Sequence, residues 1–268
     1  MYLLKFLDHP SFRNNKFKTI LNGIVLFILI IFNKNKIISI FNDNRKFFFK
    51  FMPLKKGDGT RGLFIYRENY EPLLQNYHNL LKKNDVVLDI GANQGIYSLA
   101  FAKLIGENGK VIAIEPFKQM NNYFKDNIRI NGFQNIEIIE KVVSDNIGYE
   151  EIDFGSGIVS ASIVRNFKNS VKQKVESTTV DEICKNLDRL DFIKIDIEGA
   201  ELKALKGAEK TLNNHKPKLS LEVDQHSFEH INSFLEKYGY KPYIFEGQNL
   251  IHITNITKEY PTMIFKTN

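Results

Sequence analysis

The spacing of apolar residues predicts regular alternation of strands and helices from about residue 85 to the end of the chain. Short apolar runs, typical of buried strands, are separated by stretches with helical spacing. We predict strands over 86–90, 111–114, 136–143, 192–195 and 218–223, with extended runs over 243–246, 250–254 and 261–266. The helices are predicted over 96–105, 118–131, 179–185, 201–212 and 227–238. This alternation predicts an α/β fold, with a mostly parallel sheet and helices on both faces.

The segment before this region has a different pattern. A Phe-rich extended run lies at 45–54, a Gly-Asp-Gly turn follows at 57–59, and Leu63–Tyr66 is again apolar, which predicts a β-hairpin over 46–66. Glu71-Pro72 begins a helical stretch that reaches about residue 81. We therefore divide the chain into an extension, residues 1–45, and a domain, residues 46–268, whose α/β core spans 70–268.

The extension contains an apolar segment without charge, Thr19–Asn33. Its 15 residues fall short of the roughly 20 that a membrane-spanning helix needs. Basic residues flank it at 13, 16, 18, 34 and 36. Three interpretations stand: a helix held at a membrane surface through residues 13–36, a helix packed on the domain, and a secretory signal peptide, which lacks a small-residue cleavage site.

Charge is distributed unevenly along the chain. Residues 1–60 hold 11 Lys/Arg and 3 Asp/Glu, a net charge of +8, so the remaining residues carry −2 of the total +6. A nucleic-acid-binding domain is expected to carry a basic patch, and we therefore expect no nucleic-acid partner. The single cysteine, Cys184, excludes an internal disulfide and indicates a reducing, cytoplasmic compartment.

The first predicted strand leads into a glycine-containing bend. It continues as Asp89-Ile90-Gly91-Ala92-Asn93-Gln94-Gly95, and Glu115 ends the next strand 20 residues after Gly95. Such a bend brings backbone close to a ligand, and a carboxylate at the neighbouring strand end can reach a ribose diol. Position 93 is Asn and no third glycine follows, so the motif departs from the dinucleotide fingerprint. A nucleoside without a diphosphate fits this bend better, although a nicotinamide-dependent oxidoreductase stays an alternative.

Charged residues also mark the ends of the fourth and fifth predicted strands. Lys194, Asp196 and Glu198 alternate along one strand, so we expect their side chains on one side, and Glu222 ends the neighbouring strand. Asp196, Glu198 or Glu222 could accept a substrate proton or orient a substrate hydroxyl, with Lys194 as a charged partner. The alternative is a structural salt-bridge cluster that involves Glu201.

Two histidines, His226 and His230, are four residues apart on a predicted helix. That spacing is compatible with a metal site, with a substrate contact by His226, or with an ordinary solvated helix face. We favour the solvated face and predict no metal.

Several motifs in their order and spacing resemble those of one enzyme family. They are Val87–Gly95, Glu115-Pro116, Asn131-Gly132, Val143–Asp145, Thr179–Glu182, Phe192–Glu201, Leu205–Ala208 and Leu221-Glu222, with Tyr70-Glu71-Pro72 as an entry segment. The chain is similar over about residues 67–240 to the FkbM-type methyltransferases, a branch of the class I S-adenosylmethionine-dependent enzymes.

The resemblance implies a Rossmann-like sheet with an antiparallel C-terminal strand and S-adenosylmethionine as cofactor. It implies methyl transfer to an oxygen of a sugar, glycan or other small molecule. Carried onto this chain, it assigns cofactor contacts to six residues: Asp89, Gly91, Asn93, Gly95, Glu115 and Asp145. Asp145 would lie near the adenine, although a solvated loop position is its alternative. A membrane-tethered binding protein without catalysis is the competing function from another class.

Overall fold

The computed structural model describes residues 16–51, 60–154, 161–162, 171–256 and 260–267 of the 268-residue chain. In the described part, the largest sheet has eight strands in the order β13-β12-β14-β11-β10-β3-β4-β5. These strands are β3 (Val86–Ile90), β4 (Lys110–Ile114), β5 (Ile136–Ile139), β10 (Phe192–Ile195), β11 (Lys218–Val223), β12 (Lys241–Glu246), β13 (Asn249–His252) and β14 (Tyr260–Lys266).

The central strands of this sheet are parallel, and two C-terminal strands, β13 and β14, run in the opposite direction. β10 pairs in parallel with both β3 and β11, while β14 pairs antiparallel with β11. Because parallel strands are buried on both faces, the central strands are apolar along nearly their whole length, as the sequence pattern indicated. The predicted fold class is confirmed.

Helices cover both faces of the sheet. The α-helices of the described residues are α1 (Lys16–Ile31), α2 (Thr60–Tyr66), α3 (Pro72–Asn76), α4 (Ile96–Ile105), α5 (Lys118–Asn131), α6 (Val180–Cys184), α7 (Glu201–Lys206), α8 (Glu209–Asn214) and α9 (Phe228–Glu236). One core contains Val87 and Val111 with apolar residues of α3, α4 and α5. The other contains Leu88 and Ile112 with those of α6 to α9. Adjacent strand residues thus enter opposite cores, as strand geometry requires.

The helix predicted over 201–212 is interrupted in the structure. α7 ends at Lys206 and α8 begins at Glu209, with Gly207 between them. A Cβ atom on Gly207 would lie 2.2 Å from the carbonyl oxygen of Ser144. The close approach of this neighbouring backbone therefore requires glycine at the break.

A second sheet follows β5 and was not predicted. It has the order β6-β9-β7-β8 and is formed by β6 (Val142–Val143), β7 (Gly148–Phe154), β8 (Ala161–Ser162) and β9 (Val171–Thr178). The strand predicted over 136–143 is therefore two strands, since β5 ends at Ile139 and β6 pairs with β9. Asp145 thus follows a strand of the second sheet.

The hairpin predicted over 46–66 is wrong, because its first strand does not pair with Leu63–Tyr66. β2 (Phe47–Phe51) pairs with β1 (Lys36–Ile40), across the boundary predicted at residue 45, whereas Leu63–Tyr66 belongs to α2. The predicted turn at 57–59 lies outside the described residues. An apolar run of four residues is ambiguous by periodicity, and α2 buries Thr60, Leu63 and Phe64 at helical spacing.

The apolar segment of the extension forms α1, which contacts the rest of the chain along one side. Leu26 is buried in the core, and the side-chain amide of Asn22 donates to the carbonyl oxygen of Ile65 at 2.8 Å. Arg13, part of the predicted basic flank, lies outside the described residues. Within those residues, no helix combines the length and the apolarity that crossing a bilayer requires.

Candidate active site

A cavity of about 360 Å³ lies at the carboxyl ends of β3, β4, β10 and β11. Its walls include the bend after β3, the residue that ends β4, and the ends of β10 and β11. Ligands of open α/β sheets bind at this edge, where the strand order reverses. In this sheet β3 is the point of reversal, because β4 lies on one side of it and β10 on the other.

The bend after β3 requires glycine at position 91. Gly91 has φ +80°, and a Cβ atom there would lie 1.9 Å from the backbone oxygen of Asp196. The backbone N–H groups of Gly91 and Ala92 both donate to the Ile114 carbonyl at 3.0 Å, which holds the bend against β4. Gly91 and Asn93 line the cavity.

Gly95 has a different function in the same bend. It precedes α4 with φ +88°, and a Cβ atom there would lie 2.1 Å from the Phe124 ring. Gly95 is not among the residues that line the cavity. Its conformation lets α4 begin close to α5, so the structure gives it a packing function.

The carboxylate of Glu115 is held at the cavity wall by backbone. One carboxylate oxygen accepts from the N–H of Asn93 at 2.9 Å, and the other accepts from the N–H of Phe117 at 3.0 Å. Burial raises the pKa of Glu115 to about 7, and the two N–H groups only partly offset this effect. Each oxygen keeps a second lone pair, so the side chain can still accept hydrogen bonds from a ligand.

Lys194 is the centre of a buried ionic cluster beneath the cavity. Its ammonium lies 3.6 Å from a carboxylate oxygen of Asp89 and 3.1 Å from one of Asp196. Lys194 is 4% exposed and Asp89 is not exposed at all. Burial opposes the charge of Lys194, but the carboxylates of Asp196 and Asp89 together raise the pKa of the lysine.

Asp89 does not line the cavity; it supports Lys194 from below. Its second oxygen accepts from the Ser98 hydroxyl at 2.5 Å. Burial raises the pKa of Asp89, and the nearby ammonium and hydroxyl offset only part of that effect. Asp89 and Lys194 are direct neighbours in the register of β3 and β10, which explains their contact.

The carboxyl groups of Asp196 and Glu222 form a pair that lines the cavity. Burial favours the neutral form of Asp196, but Lys194 and a hydrogen bond from Glu222 lower its pKa. Burial and the negative charge of Asp196 raise the pKa of Glu222. The two pKa values shift in opposite directions, so a proton held by this pair is favoured on Glu222 over Asp196.

A group of three residues near this pair was not predicted to be catalytic or cofactor-binding. Tyr70, Glu71 and Tyr97 line the cavity, and the Tyr97 hydroxyl makes a very short hydrogen bond to the Glu71 carboxylate. The Lys194 ammonium lies 5.0 Å from the centre of the Tyr97 ring. Burial raises the pKa of Glu71. Tyr97 is two residues beyond Gly95, and that position is the only signal the sequence offers for it.

The cavity brings together seven of the ten residues proposed from sequence. They are Gly91, Asn93, Glu115, Lys194, Asp196, Glu198 and Glu222. The other three are Asp89 and Gly95, which lie behind the wall, and Asp145, which is exposed and bonded to Ser144 and Asn146. Glu198 has φ +54° and sits in the turn after β10, so it does not continue the strand alternation of Lys194 and Asp196.

Comparison with known proteins identifies the family. The family model described as "Methyltransferase FkbM domain" matches residues 89–242, more than half of the chain. This chain belongs to the FkbM methyltransferase family. The matched segment contains the glycine bend and the strand ends that carry Glu115, Asp196 and Glu222. The match confirms the family that the sequence motifs indicated.

Relatives of this FkbM-family chain include other methyltransferases. The methyltransferase sdnD of Sordaria araneosa is 25% identical over 182 residues, which are 55% of this chain and 69% of that protein. The ribosomal RNA large subunit methyltransferase E of Methanothermobacter thermautotrophicus is 29% identical over 140 residues, or 51% of this chain and 66% of that protein.

A solved structure shows the same fold. The crystal structure of methyltransferase FkbM from Methylobacillus flagellatus KT matches with a TM-score of 0.50 at 17% identity. The match covers 92% of this chain, which spans only 59% of the length of that protein.

The cavity of this FkbM-family chain is acidic. Five carboxylates line it, from Glu71, Glu115, Asp196, Glu198 and Glu222, against the ammonium groups of Lys141 and Lys194. Lys194 is already paired with Asp89 and Asp196. Because the pKa values of Glu71, Glu115 and Glu222 are all raised, the negative charge of the cavity is smaller than this count near neutral pH and grows as pH rises. Where these groups ionise, the negative charge favours a cationic ligand and opposes a diphosphate.

Proposed function

We propose that this chain is an S-adenosylmethionine-dependent methyltransferase that methylates a hydroxyl group of a sugar, a glycan or another small molecule. One observation carries the proposal. A single cavity joins Glu115 and the Gly91 bend to the carboxylate pair Asp196–Glu222. A nucleoside site and a proton-accepting site thus share one space, which is what transfer of a group from a nucleoside to a hydroxyl needs.

The residues present fit this cofactor. The Glu115 carboxylate has accepting lone pairs at the cavity wall and can bind the ribose diol. Gly91, where a Cβ atom would collide with the Asp196 carbonyl, brings backbone to the same wall. When bound, S-adenosylmethionine supplies an electrophilic methyl group on a sulfonium. The acidic cavity favours that positive charge over the two negative charges of a nicotinamide dinucleotide.

Asp196 and Glu222 would act on the acceptor. Lys194 keeps Asp196 ionised, so the Asp196 carboxylate can accept a hydrogen bond from an acceptor hydroxyl and orient its oxygen. Once Glu222 has lost its proton, the pair can take up the proton that this hydroxyl releases. Much of the rate would come from positioning, because the displacement requires alignment of two bound groups.

A hydroxylated acceptor is supported by the cavity lining near this pair. Five side chains with hydroxyl groups line the cavity: Thr60, Tyr70, Tyr97, Ser220 and Thr262. Within the described residues the buried Thr60 hydroxyl oxygen has no hydrogen-bond partner. Such groups can pair with hydroxyls of a carbohydrate, and the expectation of a sugar acceptor rests otherwise on family resemblance.

Two measurements test the proposal. S-adenosylmethionine should raise the melting temperature of the purified protein, whereas NAD should not, because only the former matches the acidic cavity. Asp196→Asn should lower turnover with an acceptor far more than it weakens cofactor binding. Stabilisation by NAD alone would favour an oxidoreductase. Binding of S-adenosylmethionine without methyl transfer to any component of a cell extract would favour a non-catalytic binding protein.

A further inference from the structure

Helix α1 presents apolar side chains to solvent along most of its length. Among the described residues, nine large apolar side chains from α1 and the residue after it are 38% to 81% exposed: Phe17, Ile20, Leu21, Ile24, Phe27, Ile28, Ile30, Ile31 and Phe32. No comparable run of exposed apolar residues occurs in the other described helices. Contiguous apolar surface of this kind marks an interaction site.

The polarity of this helix is inverted relative to an ordinary surface helix. Thr19 and Asn22 are the only polar side chains between Lys18 and Asn33, and both face the protein. Thr19 is 4% exposed, and the Asn22 amide donates to the carbonyl oxygen of Ile65. A surface helix normally turns its polar residues to water and its apolar residues to the core. The outer side of α1 is therefore suited to an apolar medium.

The charges around α1 indicate which apolar medium fits. Lys16 and Lys18 at its start and Lys34 and Lys36 after its end are all exposed. No Asp or Glu occurs between Lys16 and Asn42. An apolar surface with basic residues at both ends matches the boundary of a membrane with anionic headgroups.

We propose that α1 lies in the plane of an anionic membrane surface, with its apolar side in the lipid and its lysines at the headgroups. Its 16 residues extend about 24 Å along the axis, which suits a helix that lies on the membrane. A second copy of this chain is a poorer occupant. Two copies packed through this side would bring lysines of one helix near lysines of the other, which like charges oppose.

Flotation of the purified full-length chain with vesicles tests the proposal. Vesicles of phosphatidylcholine with phosphatidylglycerol should carry the protein upward in a density gradient, and vesicles of phosphatidylcholine alone should carry much less. The double variant Phe27→Gln, Ile28→Gln should lower the partition coefficient at least about tenfold, because each change removes one apolar side chain from lipid. Lys34→Gln with Lys36→Gln should weaken binding to the anionic vesicles only.

A matched control separates this effect from a general loss of surface apolarity. Ile147→Gln with Ile251→Gln changes two residues that are 64% and 41% exposed but lie on the strand-rich part of the chain. This variant should float like the unchanged protein, and all variants should melt alike. Absence of flotation with either vesicle, or equal flotation of the Phe27/Ile28 variant, would overturn the proposal. So would a dimer in solution that the Phe27/Ile28 variant converts to monomer without any vesicle binding.

Discussion

Replacement of Lys194 by Met should destabilise the fold through the charge of Asp89. Lys194 lies 3.6 Å from Asp89, which is fully buried, and 3.1 Å from Asp196, whose side chain is 40% exposed. Removal of one partner of a buried ion pair costs about 3–5 kcal/mol. Because water can partly hydrate Asp196, most of the cost comes from Asp89, and we expect a loss of about 3 kcal/mol near neutral pH.

The loss should also depend on pH, in a direction that the structure fixes. Without the lysine, burial raises the pKa of Asp89 further above its unfolded value, so the folded protein holds a proton that the unfolded chain releases. The pKa of Asp89 is already raised in the unchanged protein, so the added pH dependence lies between that pKa and the still higher pKa in the variant. In this range the free energy of unfolding of the variant should fall by about 1.4 kcal/mol for each unit of rising pH, relative to the unchanged protein.

Urea denaturation at several pH values measures both effects. The double variant Lys194→Met, Asp89→Asn is the control, because it removes the buried charge and keeps an oxygen that can accept from Ser98. It should recover most of the lost free energy and show no added pH dependence. A cost of less than about 1 kcal/mol for Lys194→Met, or no recovery in the double variant, would refute this account of the cluster.

Two further substitutions test other parts of the site. Gly91→Ala should cost more than the roughly 1–2 kcal/mol that a left-handed conformation alone imposes, and it should abolish cofactor binding. Gly239→Ala, also at positive φ but with nothing within 4 Å, should cost only that conformational term, as thermal melting would show. In the unchanged protein kcat should rise with pH as Glu222 loses its proton, because the pKa of Glu222 is raised. Glu222→Gln should lower kcat about a hundredfold and remove this rise. The control Glu229→Gln, on α9, should have the same kcat and the same pH profile as the unchanged protein. If Glu222→Gln also kept the pH profile of the unchanged protein, Glu222 would be excluded from proton transfer.

The central sheet could be predicted because its strands are buried on both faces. Val86–Ile90, Phe192–Ile195 and Lys218–Val223 are strands with the predicted ends, and Glu115 follows β4 as expected. Since parallel strands place their carboxyl ends at one edge, Glu115, Asp196 and Glu222 could be expected to meet there. Their meeting follows from topology and needs no knowledge of side-chain packing.

Features that depend on contacts between distant segments could not be predicted. The pairing of Lys194 with Asp89 depends on the register of β10 against β3, and the Glu71–Tyr97 contact joins two separate elements. The second sheet was missed because its strands are short or largely polar, as in Gly148–Phe154. Asp145 lies outside the cavity because the chain passes from the eight-stranded sheet to the second sheet after Ile139.

Titration calorimetry with S-adenosylmethionine tests the central claim most directly. The unchanged protein should bind the cofactor, with affinity that falls as pH drops below about 7, because protonation of Glu115 removes an acceptor for the ribose. Glu115→Ala should abolish binding while the fold persists, since water in the cavity can accept from the freed N–H groups of Asn93 and Phe117. Glu137→Ala, an exposed carboxylate on β5, should bind normally. Absence of binding by the unchanged protein, or equal affinity in the Glu115 variant, would contradict the account.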